Sequence, residues 1–511
     1  MRVGLLFPDA DLSPIVRPSA EPLSTIERDL ARDLGLPVIW DAMAGGMPHL
    51  WEVARSATLV LLADRRAIRY RQGVLADVRA HPEAARRLYE ISCDAMQGNK
   101  RINDMLRRTP ASTLRRSIDA LEILLGHLRR LRAFAEDYRT KLTSEGMGLL
   151  VTTVLDELDD HFFDEAAEHL AQLRFKNGLW ISAQLGAGNR GSGYVLRTPP
   201  ELRSGRKPRF RVGASRQALS FQVHPRDETG KEALARFTDR GLNLVANALA
   251  QATDHILAFL AQLRTEIAFY LGCLNLEQRL ASAEAQTCTP EPFDPGIGEV
   301  LSARGIYDAA LVLRDQTTAV GNDVDSDGRK LVMITGANSG GKSTMLRAIG
   351  LAQLMMQCGM QVCASRYRAS LCDALFTHFS RDEDRAMSRG RFDEELSRMK
   401  GIAERLTPHS TVLFNESFAG TTEWEGSAIA REIVRALVDA GVRTFFVTHL
   451  HELAERLFMQ TPAPTLFLRA ERLESGERTF KVLEGAPLST SYGADIYERI
   501  GGFWPDTGTG A

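Results

Sequence analysis

Leu331-Val332-Met333-Ile334-Thr335-Gly336-Ala337-Asn338-Ser339-Gly340-Gly341-Lys342-Ser343-Thr344 is an apolar run that passes directly into a glycine-rich turn ending in Lys-Ser-Thr. The run reads as a strand, and the turn fits the GxxxxGK[ST] spacing, with Gly336 and Gly341 at its ends. Gly340 adds freedom between them. The backbone from Gly336 through Ala337, Asn338, Ser339, Gly340 and Gly341 can therefore curl so that successive N–H groups face a phosphate. In such a loop Lys342 reaches the β- and γ-phosphates and Ser343 ligates Mg²⁺. A helix beginning near Thr344, with Met345, Leu346, Ile349, Leu351 and Leu354, would aim its positive N-terminus at the same phosphates. Taken alone, the stretch predicts binding of ATP or GTP.

Two further apolar runs end in polar residues. Residues 411–414 lead into Asn415-Glu416, the Walker B arrangement, in which the first polar position holds the Mg²⁺ shell and the second orients the attacking water. Asn415 accepts a bond from a Mg²⁺-bound water but carries no charge, so metal binding should be weaker than with Asp. The bland alternative for Glu416 is a solvated carboxylate at a strand end. Residues 444–447 lead into Thr448-His449, which places His449 where open α/β sheets bind their ligands, positioned to sense a γ-phosphate. His451 reads as a local cap. Strands alternating with helices after Pro290 and Pro292 predict a mainly parallel sheet covered by helices over residues 291–511.

At 511 residues the chain exceeds one ordinary core and is expected to be multidomain, α and α/β. Residues 1–110 read as a mostly helical N-terminal unit without a catalytic motif. Residues 111–290 read as long helical arms, over 112–173 and from about 232 to 284, flanking a β-prone tip at about 178–223. Formal net charge is -2, so affinity for a polyanion requires local clustering. Six scattered cysteines without a CxxC pair point to reduced thiols in a cytosolic protein, with no disulfide and no structural metal expected. An apolar stretch of membrane-spanning length is not expected.

The P-loop, Asn415-Glu416 followed by Gly420-Thr421-Thr422, Thr448-His449 with Glu452-Leu453, Glu484-Gly485 and Ser491-Tyr492-Gly493 together resemble the MutS family of DNA mismatch repair ATPases in order and spacing, over about residues 300–500. Upstream the likeness is architectural: helical levers carrying a small β clamp. The resemblance implies Asn322 beside the nucleotide, ATP and Mg²⁺ as cofactors, and a homodimer with composite sites. A segment of one subunit, here Ser388, Arg389 and Gly390, would reach the γ-phosphate held by the other. The family has Ser where this chain has Gly390. With the uncharged Asn415, that difference points to slow hydrolysis.

Between residues 174 and 216 the chain carries ten basic residues and one acidic, a local charge of +9. Arg190, Arg197, Arg203, Arg206, Lys207, Arg209 and Arg211 are the candidates for sequence-independent phosphate contact with DNA; a solvated basic loop is the alternative. The first 110 residues contain no Phe-x-Glu tripeptide of the kind that MutS mismatch sensors insert at a mispair. Phe134-Ala135-Glu136 matches the letters but falls within a helical pattern. The chain ends soon after Ser491-Tyr492-Gly493, and no appended nuclease or tetramerising tail is expected. Two functions follow: a DNA-clamping ATPase that does not read mispairs, or an ATP-binding scaffold with weak hydrolysis. Preferred DNA structure and repair partners are not legible.

Overall fold

The computed structural model describes residues 3–8, 22–102, 109–176, 178–186, 188, 191–197, 222–295, 298–381, 390–460, 465–473, 475 and 477–487. Arg190, Arg203, Arg206, Lys207, Arg209, Arg211, Ser388, Arg389 and Ser491-Tyr492-Gly493 lie outside them. The described strands are β1 (Trp180–Leu185), β2 (Gly191–Arg197), β3 (Glu291–Phe293), β4 (Leu301–Ile306), β5 (Asn322–Asp325) and β6 (Leu331–Gly336). They continue with β7 (Arg366–Ser370), β8 (Leu375–Phe379), β9 (Thr411–Asn415), β10 (Arg443–Val447), β11 (Thr465–Arg472) and β12 (Arg478–Glu484).

Six of them form one sheet in the order β12-β11-β6-β10-β9-β8. All neighbours pair in parallel except β12, which runs antiparallel to β11. Central β6, β9 and β10 are mostly apolar and buried at every position but Asn415, which is half-buried, as a sheet covered on both faces requires. On one face Met333, Phe376, Val412, Phe414, Phe418 and Phe446 pack with Val434 and Leu437 of helix Glu423–Asp439. Helix Lys342–Gln357, starting two residues before the expected Thr344, is buried along nearly its whole length and contacts β6, β9 and β10. A smaller sheet, β3-β7-β4-β5, carries Asn322 at the start of β5.

Compactness follows packing rather than chain order. One unit gathers Gly4–Ala85, Leu142–Leu149 and Thr265–Ala511; the other gathers Arg86–Lys141 and Leu150–Arg264 with Met1–Val3. In the first, helix Thr25–Asp33 lies on β8 and opens with a capping box between Ser24 and Glu27. Leu34 packs so tightly on the P-loop helix that a methyl group at Gly350 would come within 2.8 Å of it. Residues 4–6 are tied down by Arg71, Glu266, Tyr70 and Tyr270.

The helical pattern with few breakers expected over 112–173 is carried by three helices, Pro110–Tyr138, Glu145–Glu157 and Asp160–Leu173, of which the second begins in the first unit and the others lie in the second. The last break is made by Asp159, whose carboxylate accepts from the Phe162 N–H as an N-cap. Phe134 and Ala135 are buried in the first helix, Phe134 stacking on Tyr138 at 4.8 Å, while Glu136 is exposed and pairs with Arg132, so the three residues serve the faces of a helix. β1 and β2 pair as an antiparallel hairpin within the expected β-prone tip. The long helix resumes at Glu228 and ends at Ser282. The expectation of no apolar stretch of spanning length is corrected here: this helix passes by length and composition, with 61% of its most apolar window buried in the protein.

Candidate functional site

The P-loop turn is shaped by glycines that side chains could not replace. Gly336 and Gly341 have φ of 110° and 89°, in the left-handed region that glycine tolerates. A Cβ on Gly340 would stand 2.7 Å from the Cβ of Ala470 on β11. The turn delivers Lys342 to the start of its helix, where the Nζ donates to Gly336 O at 2.9 Å and Ala337 O at 2.8 Å. Burial, together with nearby Arg478 and against the attraction of Glu416, pushes the ammonium down to about 8. A bound polyphosphate would supply the missing negative charge.

Parallel pairing brings the three strand ends together, with Val447 beside both Ile334 and Asn415. Ser343 Oγ donates to Asn415 Oδ1 at 2.9 Å, so the helix start and the end of β9 present two neutral oxygens side by side. Glu416 follows with φ of 53°, and its carboxylate accepts from His449 Nε2 at 2.9 Å. Because a carboxylate only accepts, the imidazole carries its proton on Nε2. That hydrogen bond, then the attraction of His449, Lys342 and Arg391, holds the Glu416 carboxyl below its usual value against burial.

Lys342, Ser343, Glu416 and His449 line a cavity of about 510 Å³ that Asn415 does not border, with Leu311, Thr318, Ala319, Val320 and Phe480 also in its wall. Every residue from Asn338 to Thr344 borders it, as do Glu416, His449 and Asn322. Asn322 also does something the sequence did not indicate: its amide donates to Val320 O and Phe480 O and accepts from the Val482 N–H. It fastens β12, and thereby Phe480, to the cavity wall. Arg478, likewise missed, donates from Nε to Asn338 O at 2.6 Å, steadying the loop from β12. Neither contact has a sequence signature, because β12 reaches the loop only through cross-strand packing. Among the described residues no group of three or more His, Cys, Asp or Glu could hold a metal ion. Ser343, and Asn415 through a bound water, are the residues here that could hold Mg²⁺.

The chain matches the MutS2 N-terminal domain over residues 63–283 and MutS domain V over residues 332–502. It belongs to the MutS family. It is 30% identical over 276 residues to the DNA mismatch repair protein MutS of Shouchella clausii, a match covering 53% of this chain and 31% of that protein. It is 27% identical over 358 residues to the protein of the same name from Oleidesulfovibrio alaskensis, covering 68% and 38%. With the Endonuclease MutS2 of Lacticaseibacillus casei it shares 30% identity over 258 residues, covering 50% and 32%. The chain thus spans roughly a third of these curated relatives.

Within this MutS-family chain Lys342, Ser343, Asn415, Glu416 and His449 all fall in the domain V match. Gly390 is the exposed N-cap of helix Arg391–Ala403, remote enough from other groups that an added Cβ would meet nothing within 4 Å. The neighbouring Arg391 turns back on its own chain, donating to Ser380 Oγ at 2.7 Å. Of the basic candidates, Arg197 is exposed on β2 and donates to Ser182 Oγ. Arg174 spends its charge locally on Asp119 and Glu122. The hairpin's aromatics do not bury fully: Trp180 is 49% exposed, and Tyr194 lies near Phe237 and under Arg240.

Proposed function

We propose that this MutS-family chain binds ATP with Mg²⁺, hydrolyses it slowly, and uses the nucleotide state to change its grip on DNA. The observation that carries the reading is the convergence, in one cavity, of a buried lysine ammonium, Ser343, which is hydrogen-bonded to Asn415 behind it, and the Glu416–His449 pair. Lys342 would bind the β- and γ-phosphates, and Glu416, ionised under the influence of His449, would orient the attacking water. Asn415 supplies no charge to the metal, which favours slow turnover. The basic hairpin region would act as a clamp tip on helical levers, holding the DNA backbone without reading a mispair. In a homodimer, the segment before Gly390 would complete the partner's site.

Steady-state ATP turnover, measured with and without homoduplex, mismatched, branched and single-stranded DNA, tests the reading. The expected result is slow turnover that Glu416→Ala removes while ATP still binds, together with DNA affinity that falls steeply with salt. DNA affinity indifferent to salt, or turnover unaffected by Glu416→Ala, would overturn it.

A further inference from the structure

A second histidine, absent from the cavity lining, stands behind Glu416. His378 lies on β8, opposite Phe414 of β9, and is completely buried. Its Nε2 is 2.9 Å from the main-chain oxygen of Glu395 and its Nδ1 is 2.7 Å from Ser417 Oγ. A carbonyl can only accept, so Nε2 carries a proton. Burial, reinforced by Arg398 and Arg381, pushes the imidazole down to about 4, so the ring is neutral and holds only that one proton. Nδ1 is then an acceptor, and the one proton of the Ser417 hydroxyl, which donates to the main-chain oxygen of His378, is shared with Nδ1, 2.7 Å from the same hydroxyl oxygen. The ring face stacks on Phe418, with centroids 5.3 Å apart and planes 17° from parallel.

Those contacts fall on a turn that needs support. Glu416 and Phe418 both have left-handed φ, 53° and 65°, and neither is glycine. Such backbone persists only where surrounding contacts over-determine it. One imidazole grips the residue between them by a hydrogen bond and the second of them by stacking. On its far side the same ring is held by helix Arg391–Ala403, through Glu395. That helix also closes on the turn: a Cβ at Gly420 would approach Phe392 N to 3.2 Å.

We infer that His378 and Ser417 form a positioning pair that holds the Glu416 turn against helix Arg391–Ala403 and so fixes the carboxylate where it can orient water. The inference rests on the ATPase reading above. His378 touches no reacting atom; it acts through Ser417 and Phe418. A misplaced carboxylate hydrolyses poorly but leaves the phosphate cradle intact, so the pair should affect turnover rather than binding.

The test uses the full chain and three variants. Ser417→Ala removes one hydroxyl and is the variant most certain to fold. His378→Leu removes both ring bonds, and His378→Asn retains an oxygen that can accept from Ser417. Expected are a kcat lowered about tenfold or more in Ser417→Ala and His378→Leu, with KM and the Kd for ATP within about twofold of wild type, and partial recovery in His378→Asn. The double variant Ser417→Ala/His378→Leu should be no slower than the worse single variant, because the two act as one unit. A Ser417→Ala protein with wild-type kcat, or with kcat and ATP affinity falling together, overturns the inference while leaving the ATPase reading standing. A wild-type chain that binds ATP without any turnover overturns the ATPase reading, and the positioning role with it.

Discussion

Lys342 shows how much a single buried charge reveals about its ligand. The ammonium is buried with two of its three donors spent on P-loop carbonyls, and desolvation depresses it to about 8. A bound polyphosphate favours the charged form, so the bound pKa lies above the free one. Binding affinity is then fully present below about pH 8 and declines above it, because each bound nucleotide must bring a proton to the lysine. The Kd for ATP should rise through pH 8 to 9, approaching tenfold per pH unit, in a fluorescent-nucleotide titration of the wild-type chain. A Kd that stays flat to pH 9.5 would show that the lysine is not the group that meets the phosphates. His378 has the opposite linkage. Its neutral form is what the fold accommodates, so stability is complete above about pH 6.5 and is lost as the pH falls toward 4, by roughly 3 kcal/mol in all. Urea midpoints of the wild-type chain should fall between pH 7 and pH 5, and those of His378→Asn should fall less.

Elements were legible in the sequence where their signal is local. The P-loop strand, the strands ending at Asn415 and Val447, and the hairpin tip are each marked by a run of apolar residues or a change of period. The sequence reads as helix with few breakers over 112–173 but does not place the breaks, although Asp159 is an ordinary N-cap, because the apolar period continues across it and outweighs one capping residue. Asn322 borders the cavity, and its hydrogen bonds to Phe480 and Val482 depend on β12 lying against β5, a contact that no spacing encodes. The same holds for the short N-terminal segment. Arg71 is fully buried and donates to Leu6 O at 2.9 Å and Cys358 O at 3.2 Å, with its guanidinium 4.7 Å from the Phe7 ring. Replacing it with Leu would strand both carbonyls, at about 1–3 kcal/mol for each buried unsatisfied group. Arg71→Leu should therefore lower the urea midpoint substantially, and Arg71→Lys, which keeps a charge but not the fork, should lower it by less. A change within about 0.5 kcal/mol for Arg71→Leu would mean that the hydrogen bonds of Glu266, Tyr70 and Tyr270 hold the segment without it.

At the scale of the molecule, the sheet that carries the cavity is not self-sufficient. Helix Thr25–Asp33 lies on its edge strand β8, Leu34 fills the space that glycine leaves at position 350, and the chain from 65 to 75 meets the P-loop helix's C-terminus through Arg71. A methyl group at Gly359 would stand 2.5 Å from the Arg71 Cβ, so the backbones there are in closest contact. These partners come from residues some three hundred positions upstream, which is why periodicity read along the chain described residues 1–110 as a unit without a motif and gave no hint of what it covers. If the packing is obligatory, a fragment comprising residues 291–511 exposes the apolar surface beneath Leu34, leaves the Cys358 carbonyl without its guanidinium, and loses the cover over β8. Such a fragment should be aggregated or lack a cooperative thermal transition by circular dichroism. Adding residues 1–110 in trans should restore solubility, and with it ATP binding, if the contacts alone suffice. A 291–511 fragment that melts cooperatively and binds ATP as the full chain does would show instead that the N-terminal helices decorate an independent nucleotide-binding core.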